Sequence, residues 1–261
     1  MKILKCKSLL LTLVVLTVLM AALTGCSGAK SDVFRVGVDD VYPPMEFKDD
    51  AGKIVGFDVE LATEIAKKMG KKVEFVSTAW DGIFTSLDSK KFDCIISSVS
   101  INEERQQKYI FTNPYIANAQ VIVVGKNNTS ITSEKDLKGK KVGVQTGTTA
   151  DESAEKFVKE TPFEIKKYDQ IIQPFADMKV GRIDAIIVDE VVGKYYAAQD
   201  KQSFKVTGGR LTNEPIGVCL RKSDTELRDK VQKAIDDLKA DGTMKKLSEK
   251  WFGEDLTSNV K

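Results

Sequence analysis

The feature that most constrains this chain is an alternation of strand-like and helix-like segments, run through twice. Residues 34–38 form an apolar, strand-like run, followed by the loop Asp39-Asp40-Val41-Tyr42-Pro43-Pro44. Beyond Asp58, residues Leu61, Ala62, Ile65, Ala66 and Met69 recur on one helical face, with Asp58 placed to cap the start and Gly70 to end it. A second strand is predicted over 72–76, Trp80-Asp81-Gly82 opens a helix over 83–87, and Phe92-Asp93-Cys94-Ile95-Ile96 reads as a third strand. Strand, helix, strand, helix, strand implies a parallel α/β layer.

A second unit begins near Val121 and repeats the order. It has a strand over 141–144, the loop Gln145-Thr146-Gly147-Thr148-Thr149-Ala150 and a helix over 151–158. A strand over 163–168, a helix over 172–180, a strand over 185–188 and a helix over 190–198 follow. After Pro215, residues 216–220 are again strand-like. The helical patterns over 224–240 and 244–251 have no place in the second layer, so the chain is expected to return to the first. The organisation predicted is α/β with two lobes, each a mainly parallel sheet flanked by helices, joined by two crossing segments. Residues 33–120 with 216–261 make the first lobe and 121–215 the second.

At the N-terminus, Lys2, Lys5 and Lys7 precede an apolar run over 9–23, broken only by Thr12 and Thr17, and then comes Leu23-Thr24-Gly25-Cys26. The run is short for a bilayer span, which takes about 20 apolar residues. An uncleaved anchor is the alternative, but small residues before a cysteine favour processing. The pattern looks like a bacterial lipoprotein leader over 1–25, with Cys26 as the lipid-bearing N-terminus and 26–32 as linker. The folded part is then expected at the cell membrane, lipid-anchored on its extracytoplasmic face. The whole chain carries 40 Lys+Arg against 38 Asp+Glu, and the leader removes three lysines and no acids, leaving near balance. Lysine pairs such as Lys67-Lys68 and Lys140-Lys141 are interspersed with acids and read as solvated faces. No basic field marks a nucleic-acid partner.

The chain has no histidine. That excludes Ser-His-Asp and Cys-His nucleophiles and every histidine-based metal site, and no cofactor is expected. Cys94 and Cys219 lie in strand-like apolar runs and read as buried thiols, although export would permit a disulfide.

The strand ending at Ile96 passes into Ser97, Ser98 and Ser100, with Arg105 five residues on. Hydroxyls and freed backbone N–H groups can hydrogen-bond carboxylate oxygens, and a guanidinium presents two parallel donors that match them. In open α/β sheets, ligands bind at such strand ends. The alternative is that the serines are turn chemistry and Arg105, within Glu103-Glu104-Arg105-Gln106-Gln107-Lys108, is a solvated helix charge.

A family resemblance spans nearly all of the chain after the leader. It is carried by Tyr42-Pro43-Pro44-Met45-Glu46-Phe47, Gly56-Phe57-Asp58-Val59-Glu60-Leu61, Trp80-Asp81-Gly82 and the Phe92 to Tyr115 block. Further along it is carried by Gly139-Lys140-Lys141-Val142-Gly143-Val144, Gly181-Arg182-Ile183-Asp184-Ala185 and Asp241-Gly242-Thr243. The chain resembles the bacterial extracellular solute-binding proteins of family 3, which bind polar amino acids. The resemblance implies a type II periplasmic-binding-protein fold that closes on one free L-amino acid and delivers it to an ABC transporter permease, as a monomer. It implies that Arg105 grips the ligand carboxylate with the hydroxyl at Ser100, and that Thr148 and Thr149 complete the grip from the second lobe. Asp189 matches the acid that meets the α-ammonium group. It also suits a helix cap for the residues that follow it. Tyr42 and Trp80 match rings that sandwich the ligand side chain, where a cation–ring contact contributes roughly 0.5–2 kcal/mol.

Ser97-Ser98-Val99-Ser100, Arg105-Gln106-Gln107 and Leu220-Arg221-Lys222-Ser223-Asp224-Thr225-Glu226-Leu227 are similar to lysine/arginine/ornithine-binding proteins. There Asp39 matches the acid for the distal cation, a charge that would repel a glutamate side chain. Asn102, Gln145 and Ala150 depart from that pattern, and Gln145, able to donate and accept, suits glutamine or cystine as well. Cyclohexadienyl dehydratases also resemble this fold, but they need a general acid over the substrate. Asp39 and Asp189 are each matched to a ligand charge, and the sequence offers no third cleft acid.

Overall fold

The computed structural model of this chain describes residues 32–258 and Val260. The predicted leader over 1–25, lipidated Cys26 and linker residues up to 31 lie outside the described residues.

Strand β1 (Val33–Val38) leads into a small antiparallel sheet of β2 (Val41–Tyr42), β3 (Glu46–Lys48) and β4 (Ile54–Val55). Helix α1 (Phe57–Lys68), β5 (Lys72–Ser77), α2 (Trp80–Asp88), β6 (Cys94–Ile95), α3 (Glu103–Lys108) and β7 (Tyr109–Phe111) follow. The chain then crosses to β8 (Gln120–Gly125), β9 (Lys141–Gln145), α4 (Thr149–Glu160), β10 (Glu164–Tyr168), α5 (Ile172–Lys179), β11 (Ala185–Asp189), α6 (Glu190–Gln199) and β12 (Phe204–Arg210). It returns through β13 (Cys219–Arg221), α7 (Thr225–Ala240) and α8 (Thr243–Phe252).

These strands build two five-stranded sheets, ordered β5-β1-β6-β13-β7 and β10-β9-β11-β8-β12. In each, the first three are parallel and the fourth runs against its neighbours. The reversed strands, β13 and β8, are the ones that arrive by a crossing. The two crossings lie side by side: Leu211 N–H donates to Gln120 O at 2.8 Å, Glu214 N–H to Asn118 O at 2.9 Å and Ile216 N–H to Ile116 O at 3.1 Å. The fold is therefore two-lobed α/β, with helices flanking mainly parallel sheets.

Helix α1 buries Leu61, Ala62, Ile65 and Ala66 against Phe34 and Val36 of β1, joined by Ile235 and Leu238 of α7. The other face of that sheet holds Trp80, Ile83, Leu87, Phe92 and Ile95. Full burial of each large apolar side chain stabilises by about 1.5–3 kcal/mol.

The structure corrects three local expectations. Asp58 does not cap α1. Gly56 occupies the cap position, and the first helical N–H groups are satisfied by the backbone, Phe57 donating to Pro44 O at 3.0 Å and Asp58 to Met45 O at 2.9 Å. The strand expected over 216–220 forms a ladder only at Cys219–Arg221, because Ile216 instead bridges Ser100 and Ile116 at the crossing. The third strand of the first unit is confined to Cys94–Ile95. Cys94 and Cys219 are free and buried. Cys219 is paired with Ile95 and shares its face of the sheet, whereas Cys94 belongs to the core on the opposite face.

Candidate functional site

The strand ends of both sheets converge on one cleft. Asp39 follows β1, the serines follow β6, Gln145 ends β9 and Asp189 ends β11. The cleft is lined by all eleven residues singled out from the sequence, Asp39, Tyr42, Trp80, Ser97, Ser98, Ser100, Arg105, Gln145, Thr148, Thr149 and Asp189, together with Glu46 and Ala150.

At one end stands Arg105. Asn102 caps α3 by accepting the Arg105 N–H at 2.8 Å, which fixes the helix and turns the arginine inward. The side chain is not a solvated helix charge: Arg105 is only 8% exposed. Its Nη1 donates to Ser100 O at 3.0 Å, and the guanidinium carbon lies 5.4 Å from the Trp80 ring centroid and 5.5 Å from that of Phe84. Burial pulls its pKa down, opposed chiefly by the negative charge of Glu152. Among the described residues Arg105 makes no ion pair, so its remaining donors are available to an anion. Opposite it, Thr148 caps α4 by accepting the Asp151 N–H at 3.3 Å and donates its own hydroxyl to Gln145 O at 2.7 Å. The Thr148 side chain is thus committed, and what α4 offers the cleft is its positive N-terminal end and the Thr149 hydroxyl. Trp80, at the first turn of α2, donates its indole N–H to Gly147 O at 2.9 Å across the cleft.

The second pole is Asp189. Its Oδ1 accepts from Asn118 Nδ2 and Gln120 Nε2, each at 2.7 Å, and its Oδ2 accepts the Tyr42 hydroxyl at 2.8 Å. Asp189 takes the cap position of α6 but makes no side-chain cap bond, so the carboxylate faces the cleft. Burial, reinforced by Glu214, pushes its pKa up to about 6 despite those three donors.

At the third pole, the Asp39 N–H donates to Ser97 Oγ at 2.9 Å, and Asp39 Oδ2 accepts Gln145 Nε2 at 3.1 Å. Burial raises its pKa to about 6, only partly offset by that amide. Ser97 in turn donates to Glu46 Oε1 at 2.8 Å, while Glu46 Oε2, Ser98 Oγ and Gln145 Oε1 are buried with no partner. Burial and the nearby Asp58 hold the Glu46 carboxyl well above the usual range. Ser98 sits at φ +50° in the left-handed region, held there by Asp58, whose Oδ2 accepts the Ser98 N–H at 2.8 Å while Oδ1 accepts the Tyr115 hydroxyl at 2.8 Å.

Glu46 is a third cleft acid, which corrects the count of two from the sequence. Glu46, Asn118, Gln120 and Glu214 are the polar residues that sequence reasoning missed. Glu46 stood within a quoted motif, but nothing in the sequence turned it inward. The other three lie on the crossings, whose pairing is a tertiary event. Three acids, Asp39, Glu46 and Asp189, line the cleft with one guanidinium, Asp58 is buried beside Glu46, half-buried Glu214 stands near Asp189, and none of the five has an ion-pair partner among the described residues. No group of described acids or cysteines is arranged to hold a metal ion.

Residues 34–254 match the family of bacterial extracellular solute-binding proteins, family 3. The chain belongs to this family. Among family-3 relatives, the L-cystine-binding protein TcyJ of Escherichia coli K12 is 41% identical over 223 residues, covering 85% of this chain and 83% of the relative. The histidine-binding periplasmic protein of the same strain is 35% identical over 257 residues, covering 96% and 98%. Of solved structures, an ancestral arginine-binding protein bound to arginine superposes with a TM-score of 0.83 at 43% identity, covering 86% of this chain and all of that one. Family-3 proteins bind free amino acids for ABC transport outside the cytoplasm. No described helix of this member is long and apolar enough to cross a membrane.

Proposed function

We propose that this family-3 protein is a lipid-anchored substrate-binding component of an amino acid ABC importer and that its ligand is a cationic L-amino acid such as arginine, lysine, ornithine or histidine. The observation that carries this reading is the charge of the cleft, three lining carboxyls against one guanidinium with no internal ion pair. A ligand with one carboxylate and two cationic groups complements that set. Its carboxylate goes to Arg105, Ser100, Thr149 and the α4 N-terminus, and its α-ammonium goes to Asp189. Its distal cation goes to Asp39, where the unpartnered Gln145 oxygen adds an acceptor, and a guanidinium, with five donors and no acceptor, suits such a pole best. Binding is followed by hinge closure, because the grips come from both lobes. Cys26 supplies the lipid anchor, and the working form is a monomer that docks with the permease.

A second reading keeps the role and changes the ligand to glutamine or cystine. Gln145 already satisfies one Asp39 oxygen, and a cystine-binding relative is 41% identical. An enzymatic reading has an acid in Glu46, but that carboxyl is engaged by Ser97 beneath the serine turn. Calorimetric titration of residues 27–261, unfolded and refolded to strip carried ligand, against arginine, lysine, ornithine, histidine, glutamine, glutamate and cystine tests these readings. Tight arginine or lysine binding is expected. Preference for glutamine or cystine moves specificity from Asp39 to Gln145, and silence across the panel sinks the amino acid reading.

A further inference from the structure

Glu214 has no counterpart among the ligand residues implied by the family resemblance, yet it sits where both lobes and both crossings meet. It lies on the return crossing, its N–H donating to Asn118 O at 2.9 Å on the outward one. Its Oε2 accepts the Ser100 hydroxyl at 3.0 Å and Gln120 Nε2 at 3.1 Å, and its Oε1 accepts the Thr212 hydroxyl at 2.9 Å. Ser100 Oγ is also 3.3 Å from Thr149 Oγ1 of the second lobe.

The proton count at Gln120 is the telling feature. Its Nε2 carries two protons but faces three oxygens, Asp189 Oδ1 at 2.7 Å, Glu214 Oε2 at 3.1 Å and Thr149 Oγ1 at 3.2 Å. The Gln120 side-chain Oε1 and Asn118 Oδ1 are buried without partners. This corner, behind the Asp189 wall of the cleft, is rich in acceptors and short of donors. It also holds two carboxylates with no cation between them. An ammonium group brings three donors and one positive charge, and so supplies both deficits.

Resting on the amino acid reading above, we propose that Glu214 is a specificity-determining positioning residue: acting through Gln120 and Ser100, it makes tight binding depend on an unblocked α-ammonium group. A ligand lacking that group leaves Asp189 and Glu214 sharing one amide in a desolvated corner. Asp189 alone, with its three donors, would tolerate such a ligand better.

The test compares L-arginine with its des-amino counterpart, 5-guanidinopentanoate, on the full chain and on Glu214→Gln and Glu214→Asp variants, each first checked by thermal melting. In the wild-type protein the ratio of the two dissociation constants is expected to be on the order of 1,000. Glu214→Gln should reduce that ratio at least about tenfold, mainly by weakening arginine, because the second charge is lost. Glu214→Asp keeps the charge and should hold the ratio within about threefold of wild type even if both affinities fall. A ratio unchanged in Glu214→Gln, or reduced equally by both variants, overturns the proposal and leaves Glu214 a structural residue of the crossing. If the wild type takes glutamine instead, the cationic reading fails while the same comparison, run with glutamine and its des-amino analogue, still decides the role of Glu214. Should the wild type bind no amino acid, both proposals fall.

Discussion

At the scale of single residues, the cleft concentrates acids whose ordinary ionisation is suppressed. Burial lifts both Asp39 and Asp189 to about 6. An acid whose folded pKa exceeds its unfolded value holds its proton more tightly when folded. The empty protein should therefore lose stability as pH rises from about 4 to 6, and a cationic ligand, by favouring the ionised carboxylates, should restore it. The same sign governs binding. Affinity for a cationic amino acid should be flat above about pH 7 and fall by about tenfold per acid between pH 7 and pH 5, with protons released on binding in that window. Titration in two buffers of different ionisation enthalpy measures the release, and affinity independent of pH down to 5 would contradict the assignment. Arg105 is the opposite case, one buried cation with no ion pair. Arg105→Ala should weaken binding at least about 100-fold by calorimetry with little change in melting temperature, since losing the Ser100 O bond and the Trp80 and Phe84 ring contacts is offset by removing an unpaired buried cation from the empty site. Much of this chemistry was legible. A strand ending in serines with an arginine five residues on is a local pattern, and Asp39 and Asp189 each follow an apolar strand. Glu214 was not legible, because it becomes part of the site only when two crossings 90 or more residues apart in sequence lie side by side.

Among the elements, α1 explains why its apolar face could be read from sequence and its start could not. Periodicity of 3.6 gives the face, but the cap is supplied by backbone carbonyls of Pro44 and Met45, which the sequence does not display. Gly56 makes that approach possible. It sits at φ +138°, and a Cβ there would come within 2.1 Å of Met45 O. Gly56→Ala should therefore cost about 3 kcal/mol or more, read as a lowered urea midpoint at unchanged m-value. The loss should reach the cleft, because the same loop carries Tyr42 and Glu46, and the same helix carries Asp58, which holds the strained Ser98. The strands β2, β3 and β4 escaped the sequence reading since two or three residues carry no detectable alternation. The cysteines make a similar point. Both strand-like runs predict burial, but only the register, Cys219 against Ile95, places the two thiols on opposite faces of the sheet and removes the disulfide that export would have permitted.

For the whole molecule, the question is what holds two lobes together across a cleft made of acids. Away from the crossing residues, the direct bonds that span it besides the Ser100 and Thr149 hydroxyl pair include Tyr42 to Asp189 at 2.8 Å, Gln145 to Asp39 at 3.1 Å, Trp80 to Gly147 at 2.9 Å and Asn102 to Glu152 at 3.3 Å, and Lys194 pairs with Glu254 at 3.1 Å outside the cleft. Each joins one residue of the first lobe to one of the second, and two of them use the acids assigned to the ligand cations. A net contribution of about 1 kcal/mol per bond, or somewhat more where an acid accepts, sets a closed state within a few kcal/mol of an open one. Carboxylate repulsion opposes it, so the balance rests on whether a cation is present. Asp189 matters most, because it accepts Tyr42 from the first lobe and meets the proposed ammonium from the cleft. Asp189→Ala should retain weak binding through Arg105 and Asp39 on the first lobe but lose the differential affinity that favours closure. Small-angle scattering should then show compaction on adding arginine to the wild type and none in the variant at saturating ligand. Compaction that persisted in Asp189→Ala would mean that the carboxylate grip of Thr149 and the α4 N-terminus suffices to close the lobes, and that Asp189 selects the ligand without driving the motion.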